Sequence, residues 1–278
     1  MLGAFLCFSI MDTSAKWLVS AAVPALQVAW LRYCGHLLWA TAVYTPKQGA
    51  KVLVSKIPRL QIFRAMLLVI ATALNFTALQ YLPLTTTIAI FFVSPLTVCL
   101  LSIPFLGEQV GIKRLLAVLV GFFGVLVIVQ PWSESFTPYV FISIAAMLCT
   151  SGYFIMSRVI AGQDSNATTQ MYVSGIGTLC LALPALFFWS WPSSVQAWVL
   201  LCLIGTLGMV GHSMVTWAHQ KAQASVLAPT VYSQMIFIAI LSWVVFGQPP
   251  DTATIAGTAI IVGSGLFIWF RERQLKEV

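Results

Sequence analysis

Charge is what this chain has least of: only 8% of its 278 residues are Asp, Glu, Lys or Arg, against roughly 25% in an ordinary soluble domain. Seven acidic residues and three histidines are too few, and too dispersed, for a metal centre or the acid–base machinery of a hydrolase. No His-Glu-x-x-His occurs, and no cluster of intramembrane acids of the aspartyl-protease kind. The Gly-x-x-x-x-Gly-Lys-Ser/Thr loop is also missing, so ATP is not a direct fuel. The six cysteines, Cys7, Cys34, Cys99, Cys149, Cys180 and Cys202, lie inside apolar runs without a Cys-x-x-Cys and read as small buried hydrophobes. Neither a cofactor nor enzymatic activity is expected. The first apolar run lacks a basic leader region and is interrupted by Asp12 and Lys16, so a membrane helix is expected there, not a cleaved signal.

What the chain has is hydrophobic length. With 60% hydrophobic residues and a mean hydropathy of +0.95, a water-soluble fold is excluded. A membrane helix needs about 20 apolar residues. With turn formers and charges as punctuation, the sequence predicts ten spans, near 2–21, 25–44, 59–80, 84–105, 111–129, 137–159, 168–189, 195–218, 224–246 and 253–270. Pro24, Pro58 and Pro83 fall near span starts, where the missing N–H costs little, and Gly107 and Gly247 suit span ends.

The basic residues alternate from break to break. With the N-terminus in the cytoplasm, Lys47, Lys51, Lys56, Arg59, Arg64, Lys113, Arg114, Arg158, Lys221, Arg271, Arg273 and Lys276 fall on the inside, twelve of the fourteen in the chain. The outside breaks hold Glu134 and Asp251 and no base, as the positive-inside rule requires. The net charge of +7 thus sits at helix ends against lipid headgroups, and a nucleic-acid partner is not expected.

A second pattern is internal. An offset of 140 positions pairs Ala78 with Ala218, Gln80 with Gln220, Leu101 with Leu241, Ser102 with Ser242 and Gly107 with Gly247. Each half then holds five spans, an odd number, so equivalent helices run in opposite directions. The charges agree: Glu108, Lys113 and Arg114 follow Gly107, whereas Gln248, Pro249, Pro250 and Asp251 follow Gly247. Inverted repeats of this kind are a transporter architecture.

At these residues the chain resembles the drug/metabolite transporter superfamily, in its EamA type. The resemblance rests on Asp12-x-x-x-Lys16 followed by Arg32, and on the stretch from Ala78 through Pro95 to Leu106-Gly107-Glu108. In the second half it rests on Ala228-Pro229-Thr230-Val231-Tyr232, on Phe246-Gly247-Gln248-Pro249, and on Gly257, Gly263 and Gly265. Gln248 departs from the family's usual Gly-Glu. The resemblance implies an all-α membrane protein of ten helices in two inverted five-helix repeats, residues 1–130 and 137–278, around a central cavity. It also implies a multi-pass protein of the bacterial inner membrane with both termini cytoplasmic. Family members move amino acids, related metabolites and cationic drugs, so the resemblance implies a small-solute carrier, and an exporter of amino acids, aromatic ones included, is expected, as monomer or weak homodimer. A passive channel or scaffold with the same helices, and an intramembrane enzyme, are the competing classes.

Asp12 and Lys16 are four apart and share a helix face. Charges at that depth cost roughly 2.5–3.5 kcal/mol each. Asp12 reads either as a proton-linked switch or amine counter-charge, or as a structural partner of Lys16 or Arg32. Arg32, which stays protonated, reads as a substrate-carboxylate ligand or as half of an ion pair. In the family the first, third, fourth, sixth, eighth and ninth helices line the cavity. That implies Asn75, Gln80, Tyr153, His212, Trp217, Tyr232 and Gln234 as substrate-binding candidates, with Thr85, Ser94 and Ser157 alongside. Helix-to-helix hydrogen bonding is the plain alternative for each, and Tyr153, Trp217 and Tyr232 have core packing as theirs. Pro95, Pro184 and Pro229 fall within spans, where proline breaks the backbone ladder; Pro95 and Pro229 are the hinge candidates. Gly205, Gly208 and Gly211 line one face of the eighth span and predict close helix packing.

Overall fold

The computed structural model describes residues 1–107, 111–133, 136–221 and 228–276, apart from the side chains at 106, 114, 219–221, 228–229, 268 and 271–276. The helices are α1 (Leu2–Ser20), α2 (Ala25–Gln48), α3 (Pro58–Tyr81), α4 (Leu84–Phe91), α5 (Ser94–Leu106) and α6 (Ile112–Val129). They continue with α7 (Val140–Val159), α8 (Asn166–Phe187), α9 (Val195–Lys221), α10 (Ser233–Phe246) and α11 (Thr252–Lys276). Short 3-10 turns, Gly49–Leu53 and Ala228–Tyr232, follow α2 and precede α10. No strand occurs among the described residues.

Six segments are long and apolar enough to cross a bilayer: Leu2–Ser20, Pro58–Tyr81, Leu84–Phe105, Val140–Val159, Asn166–Phe187 and Val195–Ala218. Although α2 is as long, it carries Gln27, Arg32, Tyr33 and His36, all of which are buried inside the protein. The outer surface is apolar: Leu179, Leu183 and Phe187, spaced four apart on α8, are 77%, 81% and 83% exposed. Such a stripe would be an aggregation site in water and is an ordinary lipid contact in a bilayer. The chain is therefore a multi-pass membrane protein.

The fourth predicted span is two helices. Pro95 lies in the first turn of α5, where it has no N–H to donate. The chain passes through Phe92 and Val93 in a tightened turn, with Val93 N–H donating to Ile90 O at 3.1 Å. Part of the ninth predicted span, with Glu108 and Glu134 elsewhere, lies outside the described residues; Pro229 falls in the turn Ala228–Tyr232, and its side chain is likewise not described.

The helices pack in reciprocal fashion. Helix α2 lies against α8 and α6 against α11, while α1 packs on α9 and α3 on α7; α2 also touches α9, and α3 touches α8. At the α2–α9 crossing the backbones meet at glycine: a Cβ on Gly35 would stand 2.9 Å from Gly205 Cα, closer than real Cβ contacts come. Both α5 and α10 end on a left-handed glycine, Gly107 at φ 67° and Gly247 at φ 63°, the conformation glycine adopts at no steric cost. Ala15, Leu18, Val28, Tyr33, Leu79, Phe92, Ile204 and Ile238 share one apolar core, and the polar cluster described next is set within it.

Candidate functional site

The inner face of α3 organises the site. Gln61, Arg64, Leu68, Thr72, Asn75 and Leu79 recur at spacings of three and four and are all buried. Each offers a polar group, side chain or carbonyl, to another helix or loop.

At mid-height is Arg32 of α2, 2% exposed. Its Nε donates to Met11 Sδ (3.2 Å), its Nη1 to Thr72 Oγ1 (3.3 Å), and its Nη2 meets His212 Nε2 at 2.9 Å. A guanidinium can only donate, so His212 Nε2 must accept, and the proton of the neutral ring is assigned to Nδ1. Gly208, whose Cβ would stand 3.5 Å from Arg32 Nε, leaves room for the side chain. The ring of His36, fully buried, lies nearly parallel to that of His212 (centroids 6.1 Å apart, 18° between planes); neither His36 nitrogen has a hydrogen-bond partner. Tyr33 adds a hydroxyl to Leu68 O at 3.1 Å and to Thr72 Oγ1 at 3.0 Å.

Toward one end of α3 lies Arg64, 3% exposed. Its Nε donates to Ser157 Oγ (2.6 Å) and its Nη2 to Tyr153 Oη (2.8 Å), while the guanidinium carbon stands 4.4 Å from the Tyr153 ring centroid. Its Nη1 has no partner. This corrects the sequence reading, which counted Arg64 as a loop charge; one and a half turns into α3, it points into the protein. Toward the other end, Asn75 Nδ2 donates to Asp12 Oδ1 at 3.4 Å. Lys16 does not pair with Asp12. Its Nζ donates to the carbonyls of Leu79 (2.6 Å) and Leu82 (2.9 Å), capping the last turn of α3, where the backbone has unpaired acceptors.

Both ends of this column are clasped. At one, Asp164 of the α7–α8 loop accepts from Ser55 Oγ, from Lys56 N–H (3.0 Å) and from Gln61 Nε2 (2.9 Å). Burial alone would raise the Asp164 pKa, but the hydrogen bonds from Ser55, Lys56 and Gln61 outweigh it and hold the carboxyl below the usual range. At the opposite end of α2, the Gln27 side-chain amide pairs with both backbone groups of Ser190, each at 2.9 Å, and Tyr81 stacks on Tyr139 with centroids 3.7 Å apart.

Of the residues singled out from the sequence, Asp12, Arg32, Asn75, Tyr153 and His212 meet in this cluster. Others do not. Gln80 is exposed on the last turn of α3, and Trp217 is 61% exposed on α9; the helical period turns both outward. Tyr232 is half-buried, edge-on to Phe92 at 5.8 Å, its hydroxyl in the space left by Gly265, and Gln234 is half-buried on α10. An apolar groove between α6 and α11, lined by Leu116, Val120, Gly263 and Phe267, shares no residue with the cluster. The residues missed from sequence are Arg64, Thr72, Tyr33 and His36. The spacing of Gln61, Arg64, Thr72 and Asn75 on one face of α3 is the signal that could have found two of them.

Comparison with known proteins bears on what this cluster does. The sequence profile described as the EamA-like transporter family matches residues 1–130 and again residues 137–270. A riboflavin transporter of Vibrio cholerae is 30% identical, over 100% of this chain and 94% of its own. An S-adenosylmethionine uptake transporter of Rickettsia prowazekii is 27% identical (96% and 90%), and a pseudopaline exporter of Pseudomonas aeruginosa is 29% identical (92% and 89%). A solved crystal structure shares the fold at a TM-score of 0.69 and 18% identity, covering 98% of each chain.

Proposed function

Because the chain belongs to the EamA-like transporter family, whose members carry small solutes and are not enzymes, we propose that it is a secondary carrier working by alternating access. In this reading ten spans form two inverted five-helix units, residues 1–130 and 137–278, in a bacterial inner membrane with both termini cytoplasmic. The observation that carries it is the grip on Arg32. Thr72 and His212, 140 positions apart, hold opposite nitrogens of one guanidinium, as two inverted units meeting at a central axis require. The reciprocal helix pairs, α1 on α9 with α3 on α7 and α2 on α9 with α3 on α8, follow the same exchange of halves.

The solute is an amino acid or a related metabolite, and the carrier exports it. Asp12, Asn75, Tyr153 and His212 are the binding residues in this reading, and Arg32 is their organiser. Tyr232 and Gln234 stand at the edge of the path. The break at Pro95, and Pro229 in the corresponding span of the second half, are the places where gating motions bend the chain. Asp12, with a single hydrogen bond at 3.4 Å from Asn75, is the acidic group available to a solute amine. The clasps at both ends favour a carrier over a channel, because a pore conducts only when it is open at both ends at once. One chain contains the whole cluster, so each copy is complete in a monomer or a weak homodimer.

The test is counterflow in proteoliposomes preloaded with amino acids, riboflavin or S-adenosylmethionine. Saturable uptake stimulated by internal solute is expected, and it is abolished or severely reduced by Asp12→Asn. Linear, non-saturating flux would mean a channel, and no flux across the panel would sink the carrier reading.

A further inference from the structure

Arg32 and Arg64 are both buried, yet each donates only to neutral groups. A buried charge without a counter-charge is expensive, so each asks what balances it. For Arg32 an acid is near, since Met11, which accepts from its Nε, is Asp12's neighbour in the chain. Arg64 is different. Along α3 it is eleven residues from Asn75, Asp12's partner, about 16 Å by helical rise, so Asp12 is out of reach. Asp164 lies nearer, but its oxygens accept from Ser55, Lys56 and Gln61 and not from Arg64.

The donors of the two arginines also differ. All three nitrogens of Arg32 are engaged. In Arg64, Nε and Nη2 are held by Ser157 and Tyr153, and Nη1 keeps both of its N–H groups in a buried site with no partner. The Tyr153 hydroxyl accepts from Arg64, which leaves its own proton to donate. Nη1 and the second N–H of Nη2 belong to the guanidinium edge that takes a planar anion bidentately, and the Tyr153 hydroxyl, in contact with Nη2, has a proton to add.

Resting on the carrier reading, we infer that Arg64 is the anchor for an anionic group of the transported solute, a carboxylate or a phosphate. The role that the sequence offers to Arg32 passes to Arg64, because every nitrogen of Arg32 already has a partner within the fold, whereas Arg64 Nη1 has none. The site is one helical turn from Gln61, which belongs to the Asp164 clasp. An anion seated there enters and leaves through the clasped end.

Equilibrium binding of radiolabelled benzoate to the purified, detergent-solubilised protein tests this, with phenyl phosphate and neutral benzamide as competitors. Saturable benzoate binding is expected, displaced by phenyl phosphate and not by benzamide. Arg64→Gln should weaken it about 10- to 100-fold, the loss of charge-assisted hydrogen bonds, and Arg64→Lys by less. Absence of saturable binding to the wild type, equal displacement by benzamide, or unchanged benzoate affinity in Arg64→Gln would overturn the assignment. If Arg64→Gln is not monodisperse, Arg64→Lys and Tyr153→Phe carry the test: both must weaken benzoate binding, and unchanged affinity in both overturns it. Counterflow separates the two readings. Counterflow of the protein's own solute unaltered by Arg64→Gln defeats the anchor and leaves the carrier, whereas benzoate binding without any counterflow defeats the carrier and leaves the anchor.

Discussion

Thr72 and His212 grip the same guanidinium from opposite sides, Thr72 Oγ1 at 3.3 Å from Arg32 Nη1 and His212 Nε2 at 2.9 Å from Nη2. Thr72 sends its own proton to Leu68 O at 2.9 Å, so both groups face Arg32 with a lone pair. The cation is thereby held in place by neutral acceptors from the two halves of the chain.

Removing Arg32 should therefore cost stability as well as transport. Arg32→Gln takes from the buried His212 Nε2 the charged donor it accepts from and from Thr72 one of its three partners, a penalty of about 1–3 kcal/mol for an acceptor left unpaired. A lowered thermal unfolding midpoint in detergent, together with lost counterflow, is expected; an unchanged midpoint would contradict the organising role.

The acceptor role of His212 Nε2 predicts an order among its variants. His212→Gln can present an amide oxygen to Arg32 and should keep most of the stability, while His212→Leu should lose about 1–3 kcal/mol by leaving a charged donor unpaired. Thermal unfolding of the two variants side by side decides it, and equal midpoints would refute the assigned tautomer.

Close approach of α2 and α9 depends on Gly35 and Gly205. Gly35→Val places branched carbons beyond a Cβ that would itself stand only 2.9 Å from Gly205 Cα, and such overpacking typically costs about 1–3 kcal/mol. Because Arg32 lies on the same helix, its contacts to His212 would be pulled apart, so the folded yield on size exclusion and counterflow should fall together.

The Asp164 clasp has a defined pH response. Its carboxyl is held below the ordinary value of about 3.9, so the clasp is fully present above that pH and weakens only as pH falls through the lower folded value. Hydrogen-exchange protection of the Lys56 amide, corrected for intrinsic rate, should be flat from pH 8 to 5. Asp164→Asn should reduce that protection at every pH, since one charged acceptor for three donors is lost.

Trp217 and Gln80 face away from the cluster, so Trp217→Leu and Gln80→Ala should leave the KM for counterflow unchanged within about twofold. A large KM shift in either would return it to the solute path.

The membrane class and the six long apolar segments were legible in the sequence because hydrophobic length is a local property: twenty apolar residues need a bilayer wherever they sit in the fold. The turns at Gly107 and Gly247 were legible for a similar reason, since a left-handed helix end favours glycine whatever surrounds it. The break before Pro95 was half legible, as a proline within a span announces a defect and not its form. Which polar side chains share the interior was decided by tertiary structure alone. Helical period on α3 turns Arg64 and Thr72 inward and Gln80 outward, but the inward face is defined only by what packs on it, α2, α7 and α1. Lys16 shows the same limit: four residues from Asp12 it is placed to pair with it, yet the end of α3 arrives with open carbonyls and takes its ammonium. Composition and hydrophobic length determined a multi-helix membrane protein, whereas which nitrogens of each arginine find partners belongs to packing, because those partners lie on other helices, from 21 to 180 residues away in the chain.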